Sequence, residues 1–222
     1  MLLGPPGAGK GTQAAVLSQR LKIYHISTGD ILRQNVKAGN AIGRKAMEYM
    51  EKGKLVPDEI VIQMVKEAIN AKSSLSGFIL DGFPRTLKQA RQLDELLSGL
   101  NKNLDLVIDF KTTNSVIIKR LSGRRICRNC GANYHIKNIP PRIDGVCDKC
   151  GRNLYQRNDD KPQTVIRRID LYRKSVTLLL DYYRKKAILE IVSGDLEVEP
   201  LYKVLIDVFK KRSLLQGYKI KK

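Results

Sequence analysis

Two short stretches of this chain carry residue types and spacings that could do chemistry. The first is GPPGAGKGT, Gly4 to Thr12. Gly4, Gly7, Gly9 and Gly11 permit φ values closed to other residues and let backbone N–H groups approach an anion. A helix that starts here would aim its positive end at the same point, and Lys10 could reach between β- and γ-phosphates. The usual phosphate-loop pattern places Ser or Thr directly after the lysine, where the hydroxyl is a ligand of Mg²⁺. Here Gly11 holds that position and Thr12 follows it. Mg²⁺ is therefore expected to be carried by phosphates and retained waters, with Asp81, at the end of FILD, holding those waters. The competing reading is a plain Gly/Pro turn. The apolar Met1–Leu3 before the loop and the helical TQAAVLSQRL after it argue for a phosphate site.

The second stretch contains CRNC and CDKC, which supply Cys127, Cys130, Cys147 and Cys150 with 16 residues between the pairs. This is the spacing of a structural zinc site: each tight pair turns two thiolates toward one ion. Gly131 and Gly151 follow the pairs and allow the bend. Four protein ligands close the site to water, so the ion is expected to hold structure and take no part in catalysis.

Arginines mark a second anion site. Arg85 in GFILDGFPRT stands just beyond a strand end, on the ligand-binding edge of an open α/β sheet. Arg120 and Arg124 are four apart at a helix end. Arg157 and Arg168 flank the acidic pair Asp159–Asp160 about a helix start. Planar forks over anionic oxygens suit phosphoryl transfer. Gln89, four residues after Arg85, is expected to share its helical face and to hydrogen-bond a base edge.

These groups need a scaffold, and the apolar pattern supplies one. Strands are expected at Met1–Leu3, Tyr24–Ile26, Gly77–Leu80, Leu104–Phe110 and Ile188–Val192. Helical patterns lie between them, which implies a parallel sheet flanked by helices. The first strand is short and is expected to have little to pair with. Thr86 and Pro57–Asp58 read as helix starts. Ser27–Val56 reads as short helices with no strand, and Gly123–Asp160 as an irregular small unit.

The chain has 222 residues, 41 Lys and Arg against 22 Asp and Glu, and a net charge of +19. That surplus favours polyanionic partners without choosing among nucleic acid, acidic membrane and phosphorylated small molecules. Part of it lies in the tail Lys210–Lys222, read as frayed and solvated. No apolar run approaches the roughly 18 residues of a membrane span, and the N-terminal stretch does not read as a signal peptide. A cytosolic protein without a membrane partner is expected.

Taken together, GPPGAGKGT, STGDILR, GKLVPDE, LDGFPRT and QRNDDKPQTVIRRIDLY, in this order, closely resemble the adenylate kinase family, in its long-lid type with a metal-binding lid. The resemblance covers about Leu2 to Phe209. It implies a phosphate-loop nucleoside monophosphate kinase fold: a five-stranded parallel sheet flanked by helices, with a core of 1–26, 57–122 and 161–222, a mobile AMP-binding insert at 27–56 and a zinc-stapled lid at 123–160. It implies the reaction ATP + AMP ⇌ 2 ADP with Mg²⁺, and ATP, AMP and ADP as partners of a monomer with no specific nucleic acid. Carried over by motif, Gly7, Ala8, Gly9, Lys10, Gly11 and Thr12 cradle the ATP phosphates, and Arg120 and Arg124 serve the ATP side. Asn133, Tyr134 and the backbone near Leu196 lie against the ATP. Thr28, Arg33, Lys54, Leu55, Val56, Gly82, Phe83, Pro84, Arg85 and Gln89 surround AMP. Arg157 and Arg168 bridge lid and acceptor, and Asp159 joins Lys10 and the arginines Arg85, Arg120, Arg124, Arg157 and Arg168 in the catalytic set. His25 and His135 need not be catalytic, because an AMP phosphate oxygen is already anionic.

Two rivals remain at this point. A kinase for UMP, CMP or GMP would keep the fold and change the acceptor. A zinc-ribbon nucleic-acid binder would use the charge and the Cys₄ unit, but would leave the phosphate loop and paired arginines without purpose.

Overall fold

A computed structural model describes residues 1–52, 54–70 and 77–215. The tail beyond 215, and Gly53 of GKLVPDE, lie outside the described residues. The chain runs β1 (Leu2–Leu3), α1 (Lys10–Leu21), β2 (Tyr24–Ser27), α2 (Thr28–Ala38), α3 (Ala41–Glu51), α4 (Asp58–Asn70), β3 (Phe78–Asp81), α5 (Leu87–Gly99), β4 (Val107–Lys111) and α6 (Asn114–Ser122). It continues through β5 (Arg124–Cys127), β6 (Asn133–His135), β7 (Leu154–Tyr155), a 3₁₀ turn at Asn158–Asp160, α7 (Pro162–Lys185), β8 (Leu189–Ser193) and α8 (Val198–Lys211). No described helix is long and apolar enough to cross a membrane.

β2, β3, β1, β4 and β8 form a parallel sheet in that order. The expected five strands are all present, each shifted by no more than a few residues. The expectation that the first strand has little to pair with is wrong. β1 is the central strand, with Leu2 opposite both Asp81 and Ile108 and Leu3 opposite Asp109. Two residues suffice because both are buried on opposite faces. Leu2 joins Leu17, Ile79, Ile108 and Leu205 beneath α1 and α8, while Leu3 joins Leu80, Val65, Leu93, Val107 and Tyr183 beneath α4, α5 and α7. The period-two alternation of a strand thus fixes register against both neighbours at once. Strand order reverses at β1, so the crevice above its carboxyl end is where an open α/β sheet admits a ligand.

Two units stand over that crevice. α2 and α3 form the first: Ser27 caps α2 through the Asp30 N–H, Gly39 ends it with φ 64°, and Asn40 caps α3 through the Gly43 N–H. The second, read from sequence as irregular, contains a three-stranded antiparallel sheet in the order β6–β5–β7. Its strands are two to four residues long, too short for alternation to register in the sequence.

Gly43 is the tightest point of the α2–α3 pair, because a Cβ there would overlap the Asn35 carbonyl group. Backbone cannot yield as a side chain does. Gly43→Ala should therefore cost about 1–3 kcal/mol, read as a drop in Tm, with looser packing of residues 27–56 in hydrogen exchange. An unchanged Tm would contradict this close approach.

Candidate functional site

The phosphate loop leaves β1 and enters α1, as the sequence requires. Gly4, Gly7 and Gly9 have φ of 143°, 80° and 92°. Only at Gly7 and Gly4 would an added Cβ also strike the protein within about 3 Å, at Leu121 and Phe110 respectively. Gly9 immediately precedes α1, whose first-turn N–H groups face the loop. Lys10 folds back over the loop and donates to the Gly4 and Pro5 carbonyls at 2.7 Å each. Burial lowers its pKa to about 8, against the opposing pull of Asp81.

A Cβ on Gly11 would come 3.1 Å from Asp81 Oδ2, so a side chain after the lysine would press on the carboxylate at the end of β3. Asp81 is 9% exposed, and its Oδ2 lies 3.5 Å from His25 Nε2. A carboxylate so placed beside the loop suits the waters of a hydrated divalent cation.

Two clefts open above the sheet. One is lined by Thr28, Arg33, Lys54, Leu55, Val56, Gly82, Pro84, Arg85, Gln89 and Arg168. The other is lined by Gly7, Gly9, Lys10, Gly11, Thr12, Asp81, Arg120, Arg124, Asn133, Tyr134, Arg157 and Leu196. Lys10, Arg33, Arg85 and Arg168 line both. The structure does not bring the side chains of Ala8 and Phe83 to either cleft; both are buried in the core.

The guanidinium groups crowd one another at this meeting point. Burial, and then the charge of Arg168, lower the pKa of Arg85 to about 10. Burial, then Arg124 and Arg33, lower that of Arg157 to about 9, and its buried Nε has no hydrogen-bond partner among the described residues. Arg168 is lowered in the same way, with Asp159 opposing. These groups stay charged at neutral pH, and their loss of water and mutual repulsion would be relieved by an anion.

Carboxylates hold the forks in place. Arg168 donates to the Asp159 carbonyl at 2.9 Å, and its Nη1 lies 3.0 Å from the Asp159 carboxylate. Burial alone would raise the Asp159 carboxyl, but Arg168, Arg124, Arg157 and Arg33 outweigh it and lower its pKa. Asp160, fully buried, grips Arg124 through both oxygens. Asp30 pairs with Arg33 and lies 3.9 Å from Arg157. Sequence reasoning noted the Asp159–Asp160 pair but put only Asp159 among the site residues; the buried partner of Arg124 is its neighbour.

Arg120 lies in the last turn of α6 and Arg124 just beyond it, in β5. Arg120 donates to the Gly194 and Leu196 carbonyls at 2.5 and 2.7 Å. One expectation about a helical face needs correction. Arg85 precedes α5, whose N-cap is Thr86, so helical periodicity does not join it to Gln89. What joins them is a hydrogen bond from the Arg85 backbone N–H to Gln89 Oε1 at 2.7 Å.

In the small sheet, Cys127 Sγ lies 3.4 Å from Cys150 Sγ, and Cys130 Sγ 3.5 Å from Cys147 Sγ. All four ligand atoms fall within 4.8 Å of one another. Sulfurs at about 2.3 Å from a tetrahedral zinc ion stand about 3.8 Å apart, so the four thiols fit such an ion. Tyr134 is buried beside them; its hydroxyl contacts Cys147 Sγ at 3.5 Å and accepts from the Asp148 N–H at 2.9 Å. Its polar end thus faces the thiol cluster, while Asn133 next to it is exposed.

His135 joins the small sheet to α6. Its Nδ1 accepts from the Lys137 and Asn138 N–H groups at 3.0 and 3.1 Å, and its Nε2 faces the Lys119 carbonyl at 3.3 Å. Its ring also abuts Gly123, where a Cβ would overlap it. These contacts make His135 a connector.

Comparison with known proteins agrees over most of the chain. Residues 2–188 match the family model described as adenylate kinase. The chain is 52% identical to an adenylate kinase of Archaeoglobus fulgidus over 211 residues, covering 95% of this chain and 97% of that one. It is 52% identical to an adenylate kinase of Caldicellulosiruptor bescii over 198 residues, covering 89% and 92%. It is 51% identical to one of Methanocella arvoryzae over 199 residues, covering 90% and 92%.

An ion held by these four thiols would replace a core that the small unit cannot build from its few buried residues. Removing the ion under reducing conditions should speed proteolysis within residues 123–160 while the main sheet keeps a cooperative unfolding transition. Unaltered proteolysis after verified metal removal would contradict this role.

Proposed function

The chain belongs to the adenylate kinase family, whose reaction is reversible phosphoryl transfer from ATP to AMP giving two ADP, and we propose the following division of labour among its residues. The observation that carries it is the junction of two clefts, at which Lys10, Arg33, Arg85 and Arg168 face both.

ATP lies with its phosphates in the loop Gly7–Thr12, under Lys10 and the α1 N-terminus. AMP lies between the α2–α3 insert and α5, with its phosphate on Arg33, Arg85 and Arg168. An AMP oxygen attacks the terminal phosphorus of ATP; as that bond forms, the bond to the bridging oxygen breaks and ADP leaves with the electron pair. The entering oxygen is already ionised, so no base is required. Charge moves toward the leaving phosphates and equatorial oxygens, where Lys10, Arg124, Arg157 and Arg168 stabilise it. Asp159 and Asp160 set the reach of Arg168 and Arg124, which makes them positioning residues.

Mg²⁺ with ATP would be held through water by Asp81, and it would supply charge neutralisation on the phosphates. Zn²⁺ would be held by Cys127, Cys130, Cys147 and Cys150 as a structural ion. The small sheet acts as a lid and the α2–α3 unit as a second closing element; together they exclude water, so the phosphoryl group goes to AMP and is not lost to hydrolysis. The clustered Arg124, Arg157, Arg33 and Arg168 supply a reason to close, because anion binding relieves their mutual repulsion.

Arg85→Ala should lower ADP production from ATP and AMP by about 10³-fold, with the KM for ATP nearly unchanged. A loss under tenfold would contradict the assignment. Lys10 supplies a second test. Its depressed pKa means that the free protein loses this cation as pH rises through about 8. The kcat/KM for ATP should therefore bend downward above about pH 8. The kcat, measured with phosphates already beside Lys10, should hold to higher pH. A kcat/KM profile flat beyond about pH 9.5 would contradict the lowered pKa of Lys10 in the free protein.

A further inference from the structure

Gln89 lines the cleft assigned above to AMP and is 2% exposed. A carboxamide has one acceptor end and one donor end, and which end faces a base decides which base it can read. In isolation the amide could turn either way. Here both ends are pinned. Gln89 Oε1 accepts from the Arg85 backbone N–H at 2.7 Å, and Gln89 Nε2 donates to Asp58 Oδ1 at 2.6 Å. The second oxygen of Asp58 accepts from Thr86 Oγ1 at 3.2 Å, while that same hydroxyl accepts from the Gln89 backbone N–H at 3.1 Å. Asp58 opens α4, where the helix dipole favours its charge. An ionised carboxylate can only accept, so the nitrogen of the amide must face it.

We propose that Asp58 is a specificity-determining positioning residue: its carboxylate locks the Gln89 amide so that the remaining N–H is what the cleft offers to the base. A fixed donor pairs with the unprotonated ring nitrogen N1 of adenine. It opposes the N1–H of hypoxanthine or guanine, which would leave two donors face to face in a buried site. Asp58 need not touch the nucleotide to choose it.

This inference rests on the placement of the AMP base beside Gln89, and the test separates the two. ADP-forming rates are measured with AMP and with IMP as acceptors for the unmodified protein, for Asp58→Asn and for Gln89→Glu. The carboxamide introduced by Asp58→Asn can present either a donor or an acceptor, so the charged half of the clasp is lost and the Arg85 backbone N–H alone holds the Gln89 amide in its orientation. The AMP-to-IMP ratio of kcat/KM should fall at least about tenfold in Asp58→Asn, with the KM for ATP unchanged. Gln89→Glu should lower the ratio as well. If Gln89→Glu leaves the ratio intact, Gln89 does not read the base, and the placement falls along with the inference. If Gln89→Glu lowers the ratio and Asp58→Asn leaves it within twofold, the placement stands and the role of Asp58 is overturned. A Tm measured on each variant identifies any that do not fold. For that case the unmodified protein is read directly by NMR: the Gln89 amide proton facing Asp58 should be shifted downfield by the carboxylate and exchange slowly with solvent. A Gln89 amide with no such downfield shift and with rapid solvent exchange would overturn the inference.

Discussion

Like charges held close together are the constraint on which the rest of this structure depends. Arg33, Arg85, Arg124, Arg157 and Arg168 converge over the carboxyl ends of β1 and β3 near Lys10. Burial strips them of water, and mutual repulsion adds to it in lowering the pKa values of Arg85, Arg157 and Arg168. Left alone, such a cluster would push its elements apart. Asp30, Asp159 and Asp160 offset part of the cost and fix the direction of each fork. What remains unsatisfied is positive charge that an anion would offset. In the proposed function that charge both binds the substrates and stabilises the transferring group.

The scaffold answers to that constraint. The sheet has its shortest strand at its centre, so the phosphate loop leaves the middle of the molecule with buried leucines on both faces below it. The small sheet and the α2–α3 pair stand on either side, each with few buried groups of its own. Elements of that kind move at modest cost, which suits parts proposed to close over anions. An ion in the thiol cluster would give the small sheet internal rigidity without tying it to the core.

Much of this was legible in the residues. The loop glycines and lysine, the two cysteine pairs and the alternation of strand and helix patterns each state their own geometry within a few positions. What escaped was set by partners distant in sequence. Two leucines cannot display a strand period, so the centrality of β1 depends on Asp81, Ile108 and Asp109, far along the chain. The lid strands are too short to alternate visibly. The resemblance sets Tyr134 against ATP, and only the structure shows that its hydroxyl faces Cys147 of the thiol cluster. Gln89 reads as an exposed helix residue or a base contact, and the clasp by Asp58, thirty-one positions earlier, is not visible in either motif. The glycine after the lysine is the opposite case: its departure from the usual pattern was plain at once, and the structure adds that Asp81 Oδ2 stands close by.

One binding measurement bears most directly on the shared centre. A mimic that joins two adenosines through a polyphosphate chain would fill both clefts and lay its charge across Lys10, Arg33, Arg85 and Arg168 together. Calorimetry should find one such molecule per chain, bound at least about 100-fold more tightly than ATP. Affinity no greater than that for ATP would mean that the two clefts do not meet at a common anion site.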